Sequence, residues 1–261
     1  MGTDGRVSSG SNSTGVEATQ TSLDVLELIK ERGPVTLTAI ADELGRSKST
    51  IHRHVATLEH SGYITTSPDG YRIGLLFLDY GIQAQRDHVL YDAATEKVDA
   101  LAADVGEKVW CMTEENGLAV FLYHRDEKGL YDTYTRVGYR GHLHAFSSGK
   151  AVLAHLPEET VRRIVDRHGL PAYTEETITD YGDLLEELEA VRRRGVAFNR
   201  GEAVKRGNAL AAPILDDDGT PLGSLGVAGP AHRLSGEYLE HELPERLLGI
   251  ANEIEVSLEY E

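Results

Sequence analysis

The sequence predicts an α+β protein in two parts: an N-terminal winged helix-turn-helix with a connecting helix, then an antiparallel-sheet domain flanked by helices. Three observations predict it. Between Ser22 and Gly74 the apolar spacing runs helix, helix, turn, helix, hairpin. From Ala93 onward, alternating apolar runs interleave with helical stretches. A length of 261 residues and a hydrophobic share of 40% suffice for two domains with real cores.

Residues 1–20 are rich in Gly, Ser, Thr and Asn and read as a flexible tail. A helix-turn-helix unit is then expected over 21–75. Helical periodicity starts at Ser22, a candidate N-cap, and either Leu23, Leu26 and Ile29 or Val25, Leu28 and Ile29 form its apolar face. Gly33-Pro34 stops it. Thr36 to Leu44 is a second short helix, broken by Gly45. Ser47 can cap a third helix by accepting a bond from an early backbone N–H. There Ile51, Val55 and Leu58 lie at i, i+4 and i+7 and face inward. Two β-prone runs then flank Pro68-Asp69-Gly70, where Pro sets φ and Gly supplies a positive φ.

Leu75 to Asp92 starts apolar and lacks proline, which predicts one connecting helix, 76–93 as a linker, with Leu76, Tyr80 and Leu90 placed to meet a partner chain. The second domain, 94–261, opens with a helix over Thr95–Val105. KVWCMTEE and LAVFLYHR form a hairpin around Asn116-Gly117. Helices follow Ser147 and Pro157 and span Tyr181 to Arg194. GVAFNR, ALAAPILDDDG and PLGSLGVAGP are strands, and a last helix runs from Ser235 to Leu258.

The formal net charge is -17. It is unevenly spread: Ser22–Leu75 carries six Lys and Arg against seven Asp and Glu, whereas Leu76–Glu261 carries 19 against 34. Arg outnumbers Lys by 19 to 7, and an acid-rich, Lys-poor surface suits a halophile's cytoplasm, where salt screens self-repulsion. One cysteine, Cys111, excludes an intrachain disulfide framework. The first residues carry no apolar signal-peptide segment, and no apolar run is long enough to span a membrane. A cytoplasmic protein without membrane attachment is expected.

Within this acidic chain, Arg46 to Leu58 contains no Asp or Glu. The outward set of the third helix is Lys48, Ser49, His52, Arg53 and Ala56. A helix lying in the major groove puts its N-terminal residues on base edges and its basic flanks on phosphates, where carboxylates are repelled. Arg46 adds a cation, Ser47, Ser49 and Thr50 add hydroxyls, Thr36 and Thr38 start the preceding helix, and Arg72 sits on the wing. The expected partner is double-stranded DNA, read as a palindromic operator by at least a homodimer.

The string TLTAIADELGRSKSTIHRHVATLEHSGYI followed by DGYRIG resembles the N-terminal domain of the IclR family of transcriptional regulators. HLHAFSSGKAVLAHLP, GVAFNRGEAVK and ALAAPILDDDGTPLGSLGVAGP resemble motifs of the same family's effector domain. The resemblance covers nearly everything from Ser22 to Leu258. It implies a GAF-like second domain, dimers or tetramers, and a pocket for an organic, aromatic or sugar-derived acid. Carried over by motif, that pocket takes Ala145, Phe146, Ser147, Asn199, Asn208, Ala209, Gly226 and Ala228. His144 and Glu202 would add hydrogen bonds, and Met112 and Tyr123 would line it from the first hairpin. Ala145, Ala209 and Ala228 read equally as core, and Asn199 as a turn residue. Members that bind small carboxylates place Ser or Cys near Ala209, Gly226 and Ala228, so a roomier, less polar wall and a larger ligand are expected.

Other chemistries are weakly supported. His142-Leu143-His144 points two imidazoles one way, with Cys111 and His124 as conceivable further ligands, but no spaced ligand set follows. Gly149-Lys150 lacks the glycine spacing of a phosphate loop. Cys111 lies in an apolar run, which favours an inert thiol. Neither a cofactor nor a metal is expected. A metal- or thiol-dependent enzyme, or a non-sensing structural module, built on the second domain is the alternative.

Overall fold

The computed structural model describes residues 15–127 and 135–259; most of the expected tail, 1–14, lies outside the described residues. The chain divides between Gln85 and Arg86 into two compact units.

The N-terminal unit holds α1 (Glu17–Arg32), α2 (Leu37–Glu43), α3 (Lys48–His60), β1 (Ile64–Ser67), β2 (Gly70–Ile73) and nearly all of α4 (Leu76–Arg86). Its core is Val25, Ile29, Ile40, Ile51, Val55 and Ile64, so α3 buries the face that its spacing predicts. Thr36 and Ser47 cap α2 and α3, accepting from the Ala39 and Thr50 amides at 3.3 and 3.1 Å. Pro68 and Asp69 form a two-residue turn between the paired Ser67 and Gly70. Gly70 has φ 128°, and a Cβ there would stand 2.5 Å from the Val35 carbonyl. Two expectations fail at the first helix. α1 starts five residues before Ser22, so 17–20 are helical rather than tail. Ser22 is no cap; its hydroxyl reaches back to the Ala18 carbonyl at 3.2 Å and lies 2.9 Å from His54 Nδ1.

The connecting helix also departs from expectation. α4 stops at Arg86, and α5 (Leu90–Val105) begins well before Thr95. The Leu90 amide bonds to His88 Nδ1 at 3.3 Å, which replaces the helical bond that would carry one helix through. Leu90 is fully buried in the core of the second unit and is not available to a partner chain.

That unit contains β3 (Lys108–Glu115), β4 (Leu118–Arg125), β5 (Arg140–His142), α6 (Ser147–Leu153), α7 (Glu158–His168), α8 (Tyr181–Arg194), β6 (Ala197–Arg200), β7 (Gly207–Leu215), β8 (Pro221–Pro230) and α9 (Leu243–Glu259). The strands form one antiparallel sheet in the order β5-β4-β3-β8-β7-β6. Alternation along the strands supplies two cores. Val109, Cys111, Leu225 and Val227 pack with α5 and α9 on one face. Trp110, Met112, Phe121 and Ala211 pack with α6 and α8 on the other. A π-helical turn, Tyr238–Glu242, leads into α9, because Pro244 has no N–H to continue an α-helical ladder.

Candidate functional site

α3 presents Lys48, Ser49, Thr50, His52 and Arg53 to solvent. The Ser47 hydroxyl lies 2.9 Å from Ser49 Oγ and 2.8 Å from Thr50 Oγ1, so three hydroxyls cluster at the helix start. Arg46 is exposed and pairs with Glu17 at 2.9 Å, a surface ion pair of the weak kind that a phosphate can displace. Arg72 is exposed on β2, and Thr38 is exposed on α2. Thr36 is also exposed, though its hydroxyl serves as the α2 cap.

The second unit holds a partly open cavity of about 30 Å³ on the α6 side of the sheet. Phe146, Ser147, Asn199, Asn208, Ala209 and Ala228 line it, as the motifs imply. Trp110, Thr135, Ala203, Val204 and Gly207 line it as well and were not anticipated. Trp110 was legible as the aromatic on the same strand face as Met112; Thr135 and the 203–207 loop carry no local signal.

The other expected residues are elsewhere. Met112 is fully buried in the core beside the cavity and does not line it. Tyr123 stands on the opposite face of the sheet, donating to Asp99 at 2.9 Å. The register passes from Cys111↔Tyr123 to Met112↔Phe121, so Leu122 is an extra residue that inverts the alternation expected from Phe121. His144 lines a second, smaller cavity and bonds the Pro171 carbonyl at 3.1 Å. Ala145 contributes only its carbonyl, which accepts from Asn199 Nδ2 at 2.7 Å. Gly226 lies beneath the Trp110 indole, so the space it leaves is filled by protein and the wall is not roomier there.

Glu202 turns away from the cavity. Both its carboxylate oxygens lie 2.8 Å from Lys150 Nζ, and that lysine, fully buried, lies 3.4 Å from Glu187. Burial pushes the Glu202 carboxyl above its usual range, and the Lys150 charge only partly offsets this. Asn199 serves the same segment: its Oδ1 accepts from the Glu202 and Ala203 amides at 3.1 and 3.4 Å. Its role as a turn residue is thus built alongside its place in the cavity wall. Asn208 donates to the Leu234 carbonyl at 2.8 Å. Ser147 Oγ is buried and has no hydrogen-bond partner among the described residues.

The alternative chemistries find no constellation. His142 Nδ1 is held 2.8 Å from Tyr173 Oη, and burial lowers His144 to about 4. No group of three His, Cys, Asp or Glu side chains converges on a metal position among the described residues. Cys111 is buried, with its thiol pushed up to about 12, so no thiolate forms near neutrality. No helix among the described residues is long and apolar enough to cross a membrane.

Comparison with known proteins agrees with both halves. Residues 19–68 match the IclR helix-turn-helix domain, and residues 83–256 match the bacterial transcriptional regulator IclR C-terminal domain. The probable HTH-type transcriptional regulator ArcR of Halobacterium salinarum is 29% identical over 91% of this chain and 92% of its own. The transcriptional repressor IclR of Escherichia coli is 28% identical over 85% and 83%. The crystal structure of the Thermotoga maritima IclR superposes with a TM-score of 0.75 at 26% identity, covering 92% of this chain and 98% of that one. An IclR homologue from Microbacterium hydrocarbonoxydans, crystallised with 4-hydroxybenzoate, has a TM-score of 0.78 at 23% identity, covering 94% and 100%. The acid-free third helix with its wing, the curved sheet with its cavity, and these matches over both units lead to one assignment: the chain is a DNA-binding transcriptional regulator of the IclR family.

Proposed function

We propose that this regulator reads a palindromic operator as a homodimer and changes its operator binding when a small organic acid occupies the cavity of its second unit. The observation that carries the sensing half is Ser147 Oγ, a buried hydroxyl without a hydrogen-bond partner among the described residues, at a cavity where the Asn199 and Asn208 side chains already donate to backbone carbonyls. Such a group costs free energy in the empty protein and is repaid by a ligand that bonds to it. The complex of the Microbacterium homologue with 4-hydroxybenzoate supports an organic acid as the ligand class. Arg53, Lys48, Ser49 and His52 meet base edges, while Arg46, Thr50 and Arg72 meet phosphates. Phe77, Leu78, Tyr80 and Ile82 of α4 are exposed apolar groups, and burying them between two copies fits dimerisation through this helix. A ligand that favours one arrangement of the paired chains then shifts the operator equilibrium toward that arrangement. The setting is cytoplasmic.

The test is operator footprinting with and without Arg53→Ala in molar salt. Arg53 is exposed, so the variant keeps the wild-type melting temperature and loses protection of the operator. A variant that protects DNA normally refutes α3 as the reading helix.

A further inference from the structure

We propose that the break between α4 and α5 is a two-state joint latched by His88, and that releasing the latch lets residues 86–89 wind into one through-helix and changes operator binding. Two consecutive amides carry the observation. In an unbroken helix the Leu90 and Tyr91 N–H groups would donate to the Arg86 and Asp87 carbonyls. Here both turn to one residue: Leu90 donates to His88 Nδ1 at 3.3 Å, and Tyr91 donates to the His88 carbonyl at 2.9 Å. Leu90 is fully buried, so its amide has no water to replace that acceptor. An imidazole accepts only through an unprotonated nitrogen, which places the proton on Nε2. Burial holds His88 below the ordinary histidine range, against the pull of the Glu115 carboxylate, which is itself 2.7 Å from Arg140. The accepting form therefore prevails at neutral pH.

The far side of the joint is fixed. The Leu90 side chain fills the notch left by Gly223, where a Cβ would stand 2.5 Å from Leu90 Cδ1. The Tyr91 ring packs edge-on against Tyr123, with centroids 6.1 Å apart. The near side is ordinary helix through Arg86. Between them nothing forbids a helix. Residues 82–92 contain neither Pro nor Gly, and none of 86–89 has a positive φ. Val89 already has helical angles, φ -51° and ψ -34°. The change therefore falls on Asp87 and His88. It exchanges two bonds to His88 for two helical bonds, the near-balance that a switch requires. The N-terminal unit ends at Gln85, inside α4, so the state of the joint decides how the reading head is carried.

Two substitutions push the joint in opposite directions. His88→Ala removes the acceptor and favours helix; loss of a side-chain acceptor at a helix start shifts such a balance by roughly 2- to 30-fold. Val89→Pro suits the φ of the break and blocks a through-helix. Spin labels at Gln83→Cys and Glu96→Cys, both exposed, read the joint in the full-length protein, diluted with unlabelled chain in molar potassium chloride. The buried Cys111 thiol takes no label. A through-helix sets the two labelled Cα atoms about 20 Å apart. His88→Ala is expected to raise the population near that spacing at least about twofold, and Val89→Pro to abolish it. Affinity for a duplex that wild type selects from a random pool, read by fluorescence anisotropy, is expected to change at least about threefold in His88→Ala. The double variant His88→Ala/Val89→Pro is expected to match Val89→Pro in both readings. His88→Gln carries the test if the alanine variant does not fold. The proposal is overturned if folded His88→Ala gains nothing near 20 Å, if it binds the duplex as wild type does, or if the proline fails to reverse its effect. No ligand enters the test, so its outcome is independent of the reading of the cavity.

Discussion

Replacing Lys150 with Met removes the only cation bonded to the buried Glu202 carboxylate among the described residues. Both carboxylate oxygens lie 2.8 Å from Nζ, the lysine is 1% exposed, and Glu187 approaches the same ammonium at 3.4 Å. Breaking one side of a buried pair costs about 3–5 kcal/mol, because a charge is left without a partner. In a unit of this size about 1 kcal/mol moves the melting temperature by about 2–4 °C, so a fall of roughly 6–20 °C is expected. The loss depends on pH with a definite sign. Glu202 already has a raised folded pKa, so its contribution is full below the ordinary carboxylate range and is lost as pH rises through the folded value. Without Lys150 that value rises further, so the gap between variant and wild type is widest at neutral pH and closes toward pH about 4.5. Thermal melts from pH 4.5 to 8 in fixed molar salt check this, and Glu202→Gln added to Lys150→Met should recover much of the loss. A cost below about 1 kcal/mol, or one that does not change with pH, refutes the buried-pair account.

Three further outcomes follow from named contacts. Ser147→Ala removes a hydroxyl with no partner among the described residues, so the unliganded protein should keep or gain about 1 kcal/mol in denaturant melts while losing affinity for an organic acid such as benzoate. Gly149→Ala sets a Cβ into the Leu143 carbonyl and should cost about 1–3 kcal/mol or more in the same melts, since backbone cannot move aside as a side chain can. Operator binding should weaken with salt far less than the ~10³-fold between 50 and 200 mM typical of many phosphate contacts, because added salt also screens the acidic second unit from DNA. A slope of that steeper kind, read by fluorescence anisotropy, would exclude this compensation.

What the sequence made legible was local. Ser47, Ile51, Val55 and Leu58 announce α3 by cap and spacing, and Pro68-Asp69-Gly70 announces the wing, because each depends on neighbours within a few residues. The start of α1 was missed because Ser22 looks like a cap until its hydroxyl finds Ala18 and His54. The cavity was half legible. Motif residues in β7 and β8 pointed to it, but a one-residue bulge at Leu122 sends Tyr123 to the other face, and no local pattern encodes a bulge. Gly226 read as empty space because the indole that fills it lies more than a hundred residues away in sequence. Glu202 read as a ligand contact because nothing local reveals that Lys150 is buried against it.

The pairing at the middle of the sheet also bears on how the chain is made. β3 lies beside β8, with Lys108 opposite Ala228, so the sheet cannot close until the chain through Pro230 has left the ribosome. The N-terminal unit ends at Gln85 and its core joins residues close in sequence, the kind of contact that forms fastest. At ordinary rates of synthesis the interval between the two events is on the order of ten seconds. During that time a nascent chain carries a finished reading head and an open, unpaired β3 edge. Substitutions that slow closure of the β3–β8 pair should therefore reduce yield through aggregation of new chains before they alter the behaviour of the mature protein.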